Sequence, residues 1–368
     1  MRSDQPSVLL AAGGTGGHLF PAQALAEELA RRAITVDLVT DTRGDRYGSS
    51  FPARRVYQVP SATLAGSSPI AMVRTAFLLT RGLGAAFALL GRIRPKAVVG
   101  FGGYPTFPPL KAARLRGIPT ILHEQNAVLG RANRMLAKGV TRIATSFERT
   151  KFLTPELEAK VRLTGNPVRS AVIAAARRPY WAPEPDGSIE LVVFGGSQGA
   201  RFFSESLPLA LARLPADVRA RLHIVQQARI EDVSKVGCAY RDAQIKADVA
   251  AFFADLPERL SKAHLVVARS GASTTAELTV IGRPAVLVPL PHSLDNDQLQ
   301  NAARLAESGA AWCIEQKDLS PERLSRDIEA LLGEPDKLSR AAGAAKRVGK
   351  PDAAERLADL LEELLGRG

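Results

Sequence analysis

Two short apolar runs, about half a chain apart, each end in a glycine-rich turn that leads into a helical pattern. The first reads Val8-Leu9-Leu10-Ala11-Ala12, then Gly13-Gly14-Thr15-Gly16-Gly17-His18. The second reads Leu191-Val192-Val193-Phe194, then Gly195-Gly196-Ser197-Gln198-Gly199-Ala200. A strand turning on glycines into a helix presents free backbone N–H groups at the positive end of the helix dipole, which suits phosphate. One core rarely grows to 368 residues, so two copies of the device predict two nucleotide-fold units facing each other across a cleft. Neither turn is a dinucleotide fingerprint. Leu19 stands where a third glycine would fall, and the second turn lacks the first spacing. No Gly-Lys-Ser/Thr follows either one, which excludes a P-loop.

Apolar β-runs alternate with helical stretches along the chain, the pattern of parallel sheets wrapped by helices. Strands are expected near Val8–Ala12, Thr35–Thr40, Ala97–Phe101, Pro119–His123 and Arg142–Thr145 in the first half. In the second they are expected near Glu190–Phe194, Leu222–Gln226, His264–Ala268, Pro284–Pro289 and Ala311–Ile314. Pro21–Arg32 reads as an amphipathic helix, and further helices should follow the second glycine turn, Ser273 and Asn296. The turn-favouring Gly165-Asn166-Pro167 places the join, giving units over 1–166 and 167–351, with residues 352–368 forming a last amphipathic helix.

With 49 Lys and Arg against 37 Asp and Glu, the chain carries +12 and favours polyanions: nucleic acid, anionic lipid or a multiply charged phosphate. Aromatics at 5% and the lack of RNA-binding or zinc motifs argue against nucleic acid. Two cysteines, Cys238 and Cys313, do not make a disulfide framework and fit a reducing compartment. Val8–Ala12 is too short for a leader's apolar core and no run is long enough to span a bilayer, so a cytosolic protein is expected. One helical stretch, Ile70–Leu90, stands out. Met72, Ala76, Leu79 and Leu83 form a stripe fit to face a sheet, while Ile70, Arg74, Phe77 and Arg81 share another side. Burying that side would strand two arginines, and a solvent face has no need of Ile70 and Phe77. Either neighbouring loops cover it in part or it lies on an anionic membrane surface, with the guanidinium groups at phosphates.

In open parallel sheets, ligands bind beyond the carboxyl ends of the strands. There the sequence places Gly100-Phe101-Gly102-Gly103-Tyr104-Pro105 and the polar quartet His123-Glu124-Gln125-Asn126. His18, at a helix start, is a candidate general base or a helix cap. Arg269-Ser270-Gly271-Ala272-Ser273-Thr274-Thr275-Ala276-Glu277 reads as a second phosphate cradle with Glu277 toward ribose hydroxyls. It reads equally as a cap built on Ser273 or Thr274. Asp295-Asn296-Asp297 resembles a metal-holding triplet too weakly to count, so no metal is expected. A dehydrogenase with Asp37 or Asp41 on a ribose is disfavoured by the broken fingerprint.

Taken in order, Gly13–His18, Gly102-Gly103-Tyr104-Pro105, His123–Asn126, Gly165-Asn166-Pro167-Val168-Arg169, Gly195–Ala200 and Arg269–Ala272 resemble one family. It is the bacterial peptidoglycan glucosaminyltransferases, the undecaprenyldiphospho-muramoylpentapeptide β-N-acetylglucosaminyltransferases. The resemblance implies an α/β GT-B fold of two Rossmann-like domains, with the C-terminal helix returning to the first. It implies transfer of N-acetylglucosamine from UDP-GlcNAc to the 4-hydroxyl of the muramoyl sugar on undecaprenyl pyrophosphate, with inversion and without metal or cofactor.

Carried over by position, Thr15, Gly16 and Gly17 lie toward the donor sugar and Asn126 binds its N-acetyl sugar. Arg169 and Ser197 face the diphosphate, and Phe253 offers backbone to uracil. Gly271, Ala272, Ser273, Thr274, Thr275 and Ala276 wrap phosphate and sugar, Glu277 holds the ribose and Gln298 the sugar hydroxyls. Gly14, Gly102, Gly103 and Tyr104 receive the acceptor diphosphate. His18 or Glu124 is the catalytic base. The Ile70, Arg74, Phe77 and Arg81 face then becomes a peripheral contact with the inner face of the bacterial plasma membrane, and wall-synthesis or division proteins become possible partners. The chain departs from the family at Gln226-Gln227-Ala228-Arg229, Ser273 and Asp297. Another acceptor, a UDP-GlcNAc epimerase, or a binding module without turnover are the competing readings.

Overall fold

The computed structural model describes residues 7–14, 16–41, 51–60 and 69–366; residues 69–77, 79 and 196–200 are described by backbone alone. The chain divides into two compact units. The first is residues 1–169 with 350–368, and the second is residues 170–349.

Unit 1 holds a seven-stranded sheet made of β1 Ser7–Ala11, β2 Thr35–Thr40, β3 Arg55–Gln58, β4 Ala97–Gly100, β5 Thr120–Glu124, β6 Arg142–Thr145 and β7 Val161–Leu163. Their order is β3-β2-β1-β4-β5-β6-β7, and every pair is parallel. Parallel strands need crossover helices, which cover both faces and leave the central strands as continuous apolar runs. Val8 to Ala12 are accordingly fully buried. One face packs Leu25 and Leu29 of the helix Gly16–Arg31 with Leu357 and Leu361 of the last helix, Ala353–Leu364. Arg32 clamps these helices, its Nη1 lying 2.6 Å from both Asp359 Oδ1 and Glu362 Oε2. The other face packs Leu110, Leu136 and the end of the helix Pro69–Ile93 through Ala86 and Leu90.

Unit 2 repeats the plan with six strands, β8 Ile189–Phe194, β9 Leu222–Gln227, β10 Lys246–Ala250, β11 Leu265–Ala268, β12 Ala285–Leu287 and β13 Ala311–Cys313. The order is β10-β9-β8-β11-β12-β13, again all parallel. Arg283 is the largest fully buried side chain among its described residues. Its guanidinium donates to the carbonyls of Arg178, Pro179, Leu260, Ser261, Ile281 and Gly282. Such a cation is tolerated inside because each N–H has a carbonyl partner. Burial still pulls its pKa down to about 10.

Candidate active site

In unit 1 the chemistry-bearing residues collect at the carboxyl ends of β1, β4 and β5. The turn after β1 enters the helix Gly16–Arg31, which begins five residues earlier than the apolar periodicity predicts because the glycines themselves form its first turn. Thr15 lies outside the described residues. His18 is the third residue of that helix, and three glycines from two separate segments surround its ring. A Cβ on Gly13 would stand 3.2 Å from His18 Nδ1, one on Gly102 3.5 Å from Cδ2, and one on Gly103 3.4 Å from Cε1. Gly102 and Gly103 also hold φ values of +84° and +75°, which L side chains rarely adopt. The glycines therefore do two jobs, turning the chain and leaving room for an imidazole. Gly14 is buried in the same turn, and the half-buried Tyr104 opens the short 3-10 turn Tyr104–Thr106 that follows Gly103. Gly16 lies over Phe20, 3.0 Å from a ring carbon if it carried a Cβ, whereas Gly17 faces open space. The Arg169 guanidinium stacks on that Phe20 ring at 4.2 Å, so Arg169 is held beside Gly16 at the end of unit 1.

The polar quartet at the end of β5 corrects one expectation. The sequence reading places four polar residues at the ligand edge of the strand and assigns roles to Glu124 and Asn126. His123, Glu124 and Gln125 are instead 0, 1 and 2% exposed, and only Asn126 reaches the surface in part. β5 lies between β4 and β6 and is covered on both faces, so its last residues are still inside the fold.

Glu124 Oε1 accepts from the Asn126 backbone N–H at 3.0 Å and from Asn126 Nδ2 at 3.3 Å. Its Oε2 accepts from Gly130 N–H at 2.8 Å and Asn133 Nδ2 at 2.7 Å. Burial pushes this carboxyl above the usual range, and the four N–H donors pull it back. The group therefore holds the loop 126–130 and the start of the helix Arg131–Ala137 in place. Gly130 and Asn133 are functional neighbours that the sequence reading missed, since nothing in their spacing marks them as partners of β5.

His123 forms a second knot. Its Nδ1 faces the Gln125 amide nitrogen at 3.0 Å, and its Nε2 faces the Gly165 carbonyl at 2.9 Å. An amide nitrogen only donates and a carbonyl only accepts, so Nε2 carries the proton. Gln125 also donates to Phe101 O at 2.8 Å. The ends of β4 and β5 are thereby tied to Gly165, at φ +87° beside Lys350 and Ala353. Burial lowers the His123 pKa to about 4.

Unit 2 presents its own carboxyl edge. Gly195 caps the helix Gly196–Leu211, and the Ser197 side chain lies outside the described residues. Gly271, not Ser273 or Thr274, is the cap of the helix Ala272–Ile281. Its extended backbone lets the chain enter directly, and no side-chain cap is used. The Thr275 hydroxyl donates back to the Ala272 and Gly271 carbonyls, while Ala272, Ser273, Thr274 and Ala276 are half-buried on the first turns. Glu277 is buried one turn further in.

Arg269, read from sequence as part of a phosphate cradle, is buried too. It donates to Val288 O, Pro289 O and Gln316 Oε1, which ties the end of β11 to that of β12, and burial lowers its pKa to about 10. Gln298 is fixed at both ends, its Oε1 accepting from Leu290 N–H at 3.0 Å and its backbone N–H donating to Asp297 Oδ1 at 2.7 Å. Any hydroxyl partner would therefore meet its Nε2. Phe253 is half-buried under the Arg259 guanidinium at 4.6 Å, and Phe252 beside it is 73% exposed. Asp37 sits at the end of no strand; it is buried in β2 and paired with Arg54, which removes it as a ribose ligand.

Two parallel α/β units, each with glycine turns at the carboxyl edge, define a GT-B glycosyltransferase fold. The crystal structure of Acinetobacter baumannii MurG superposes with a TM-score of 0.79 at 29% identity, covering 97% of this chain and 99% of that one. A kitacinnamycin glycotransferase at 20% identity and a UDP-N-acetylglucosamine 2-epimerase at 14% share the fold alone, with TM-scores of 0.72 and 0.67. Residues 8–145 match the glycosyltransferase family 28 N-terminal domain and residues 190–357 its C-terminal domain. The chain belongs to glycosyltransferase family 28. Relatives from Methylobacterium sp. (strain 4-46) and Brucella abortus (strain S19) are 57% and 52% identical. They cover 98% of this chain in each case and 97% and 95% of their own lengths. Both bear the name UDP-N-acetylglucosamine–N-acetylmuramyl-(pentapeptide) pyrophosphoryl-undecaprenol N-acetylglucosamine transferase.

Proposed function

We propose that this protein transfers N-acetylglucosamine from UDP-GlcNAc to the 4-hydroxyl of a muramoyl-pentapeptide carried on undecaprenyl pyrophosphate, inverting the anomeric carbon. The glycine-walled placement of His18 carries the reading, and the near full-length likeness to transferases named for this reaction supports it. His18 takes the proton of the acceptor hydroxyl as the oxygen attacks C1 from the face opposite UDP. The C1–O bond breaks and its electron pair leaves with the β-phosphate. Backbone N–H groups at the helix starts behind Gly195 and Gly271 lower the cost of the charge that gathers there. Glu277 is assigned to the ribose, Gln298 Nε2 to a sugar hydroxyl, and Arg169 with Ser197 to the diphosphate. The acceptor diphosphate is assigned to Gly14, Gly102, Gly103 and Tyr104.

Glu124 is reassigned from base to positioning residue. Its two oxygens already have four donors, and the N–H contacts on Oε1 set the orientation of the Asn126 amide that meets the N-acetyl sugar. His18→Ala should lower kcat by ~10²- to 10⁴-fold with little change in UDP affinity. If His18→Ala kept parental kcat while Glu124→Gln lost its dependence on pH, the assignment would be reversed.

A lipid-linked acceptor calls for attachment to a membrane surface. Among the described residues no helix is long and apolar enough to cross a membrane. The proposed contact is the face bearing Ile70, Arg74, Phe77 and Arg81. The side chains of Ile70, Arg74 and Phe77 lie outside the described residues, and Arg81 is exposed. Exposed Leu115 and Phe87, the latter under the Arg116 guanidinium at 3.8 Å, support the reading as further apolar surface next to a cation in this unit.

A further inference from the structure

Unit 2 has a groove remote in sequence from every glycine turn, at the open edge of its sheet. β13 is the last strand in the order and, among the described residues, pairs only with β12. The helices Pro321–Leu332 and Pro335–Val348 wall a cavity of about 730 Å³ whose floor includes Ala311, Trp312 and Cys313 of that strand. The size falls within the range of ligand sites, and the small residues Gly309, Ala341 and Ala344 are part of its lining.

Two features decide what fits there. The first is backbone. Ile314 N–H donates to Leu287 O, so strand alternation turns Trp312 toward β12 as well. Ala311 and Cys313 then point their N–H and C=O groups away from β12, toward the open edge. The second feature is charge. Arg340 and Arg347 line the groove, are exposed, and have no carboxylate partner among the described residues. Lys337 and Arg323 add two cations, partly offset by Glu334 at 3.1 Å and Asp327 at 3.5 Å. A phosphate or nucleotide would satisfy the cations and N–H groups but would leave edge carbonyls facing an anion. An extended backbone satisfies both kinds of edge group, and acidic side chains on it meet the cations.

We propose that this groove docks an extended acidic segment of a partner protein, which adds a strand along β13. The site is independent of the transfer reaction.

The test is fluorescence polarisation of the full-length protein with a labelled octapeptide alternating valine and glutamate. Saturable binding is expected, with affinity falling about tenfold in Arg340→Glu/Arg347→Glu. Both positions are exposed on a helix, so an unchanged melting temperature and unchanged UDP release would show that the variant is folded and active. A peptide N-methylated at every residue should bind far more weakly, because neither of its edges can complete the ladder. Equal binding of the N-methylated peptide, or displacement of the label by pyrophosphate as readily as by unlabelled peptide, would mean a plain anion patch and overturn the proposal. Absence of saturable binding would overturn it too.

Discussion

Replacing Glu124 by glutamine separates a scaffold from a base, because the replacement is nearly isosteric and its cost can be read from the hydrogen bonds. Each carboxylate oxygen accepts two N–H groups: Asn126 N and Nδ2 on one side, Gly130 N and Asn133 Nδ2 on the other. A glutamine has one oxygen. Whichever way its amide turns, an NH2 group faces two buried donors, and both lose their acceptor. At ~1–3 kcal/mol for each unsatisfied group, Glu124→Gln should destabilise unit 1 by about 2–6 kcal/mol. Glu124→Ala should cost a similar amount through four donors that water can partly reach. Urea unfolding followed by far-UV dichroism measures the loss, and tryptophan fluorescence serves as the control for unit 2, because both tryptophans, Trp181 and Trp312, lie there. Steady-state kinetics across pH on the same proteins completes the comparison. As a positioning residue, Glu124→Gln should lower kcat while the rising limb of the pH profile stays where it is, because the titrating base is elsewhere. A variant as stable as the parent, whose rising limb has vanished, would refute the reasoning.

Other consequences can be checked on the same protein. His123 is neutral in the fold with a pKa of about 4, and in the unfolded chain it titrates near 6.5. Below pH 6.5 the unfolded state takes up the proton first, so stability is lost as pH falls from about 6.5 to about 4. The shift is worth about 3 kcal/mol in all. Carbon-13 labelling of the imidazoles, with His123→Gln as assignment control, should show a His123 resonance that does not titrate above pH 5. Arg283→Met removes the donor from six carbonyls and should destabilise unit 2 by ~3–5 kcal/mol, read as an earlier thermal transition. Phe77→Glu with Arg81→Glu should reduce co-sedimentation with anionic vesicles and leave UDP affinity unaltered; full retention on vesicles would remove this face from the membrane contact.

The strands that apolar runs announced are those inside the sheets. The three that went unread are β3, β7 and β10, and all are edges. An edge strand keeps one side toward solvent, so Arg55-Val56-Tyr57-Gln58 and Lys246-Ala247-Asp248 carry polar residues that hide the β-pattern. β13 is also an edge, yet its neighbours Ala310 to Ile314 stay apolar enough to be read. At the site, the turns were legible because glycine spacing reports backbone geometry directly. The direction of each polar side chain was not. His123, Glu124, Gln125 and Arg269 look like ligand-facing groups in sequence, and only the packing of neighbouring strands shows that they face inward and hold the edge together. His18 gained its meaning from Gly102 and Gly103, more than eighty residues away, a proximity that one sequence does not contain.

The central claim is that this chain couples donor cleavage to a lipid-linked muramoyl acceptor. UDP released from UDP-GlcNAc, followed with and without a short-chain analogue of that acceptor and with EDTA present, tests it most directly. The account predicts release that depends on the acceptor, survives EDTA and yields a β-linked disaccharide. Release that ignores the acceptor, a requirement for divalent metal, or conversion of the donor to its 2-epimer without transfer would contradict it.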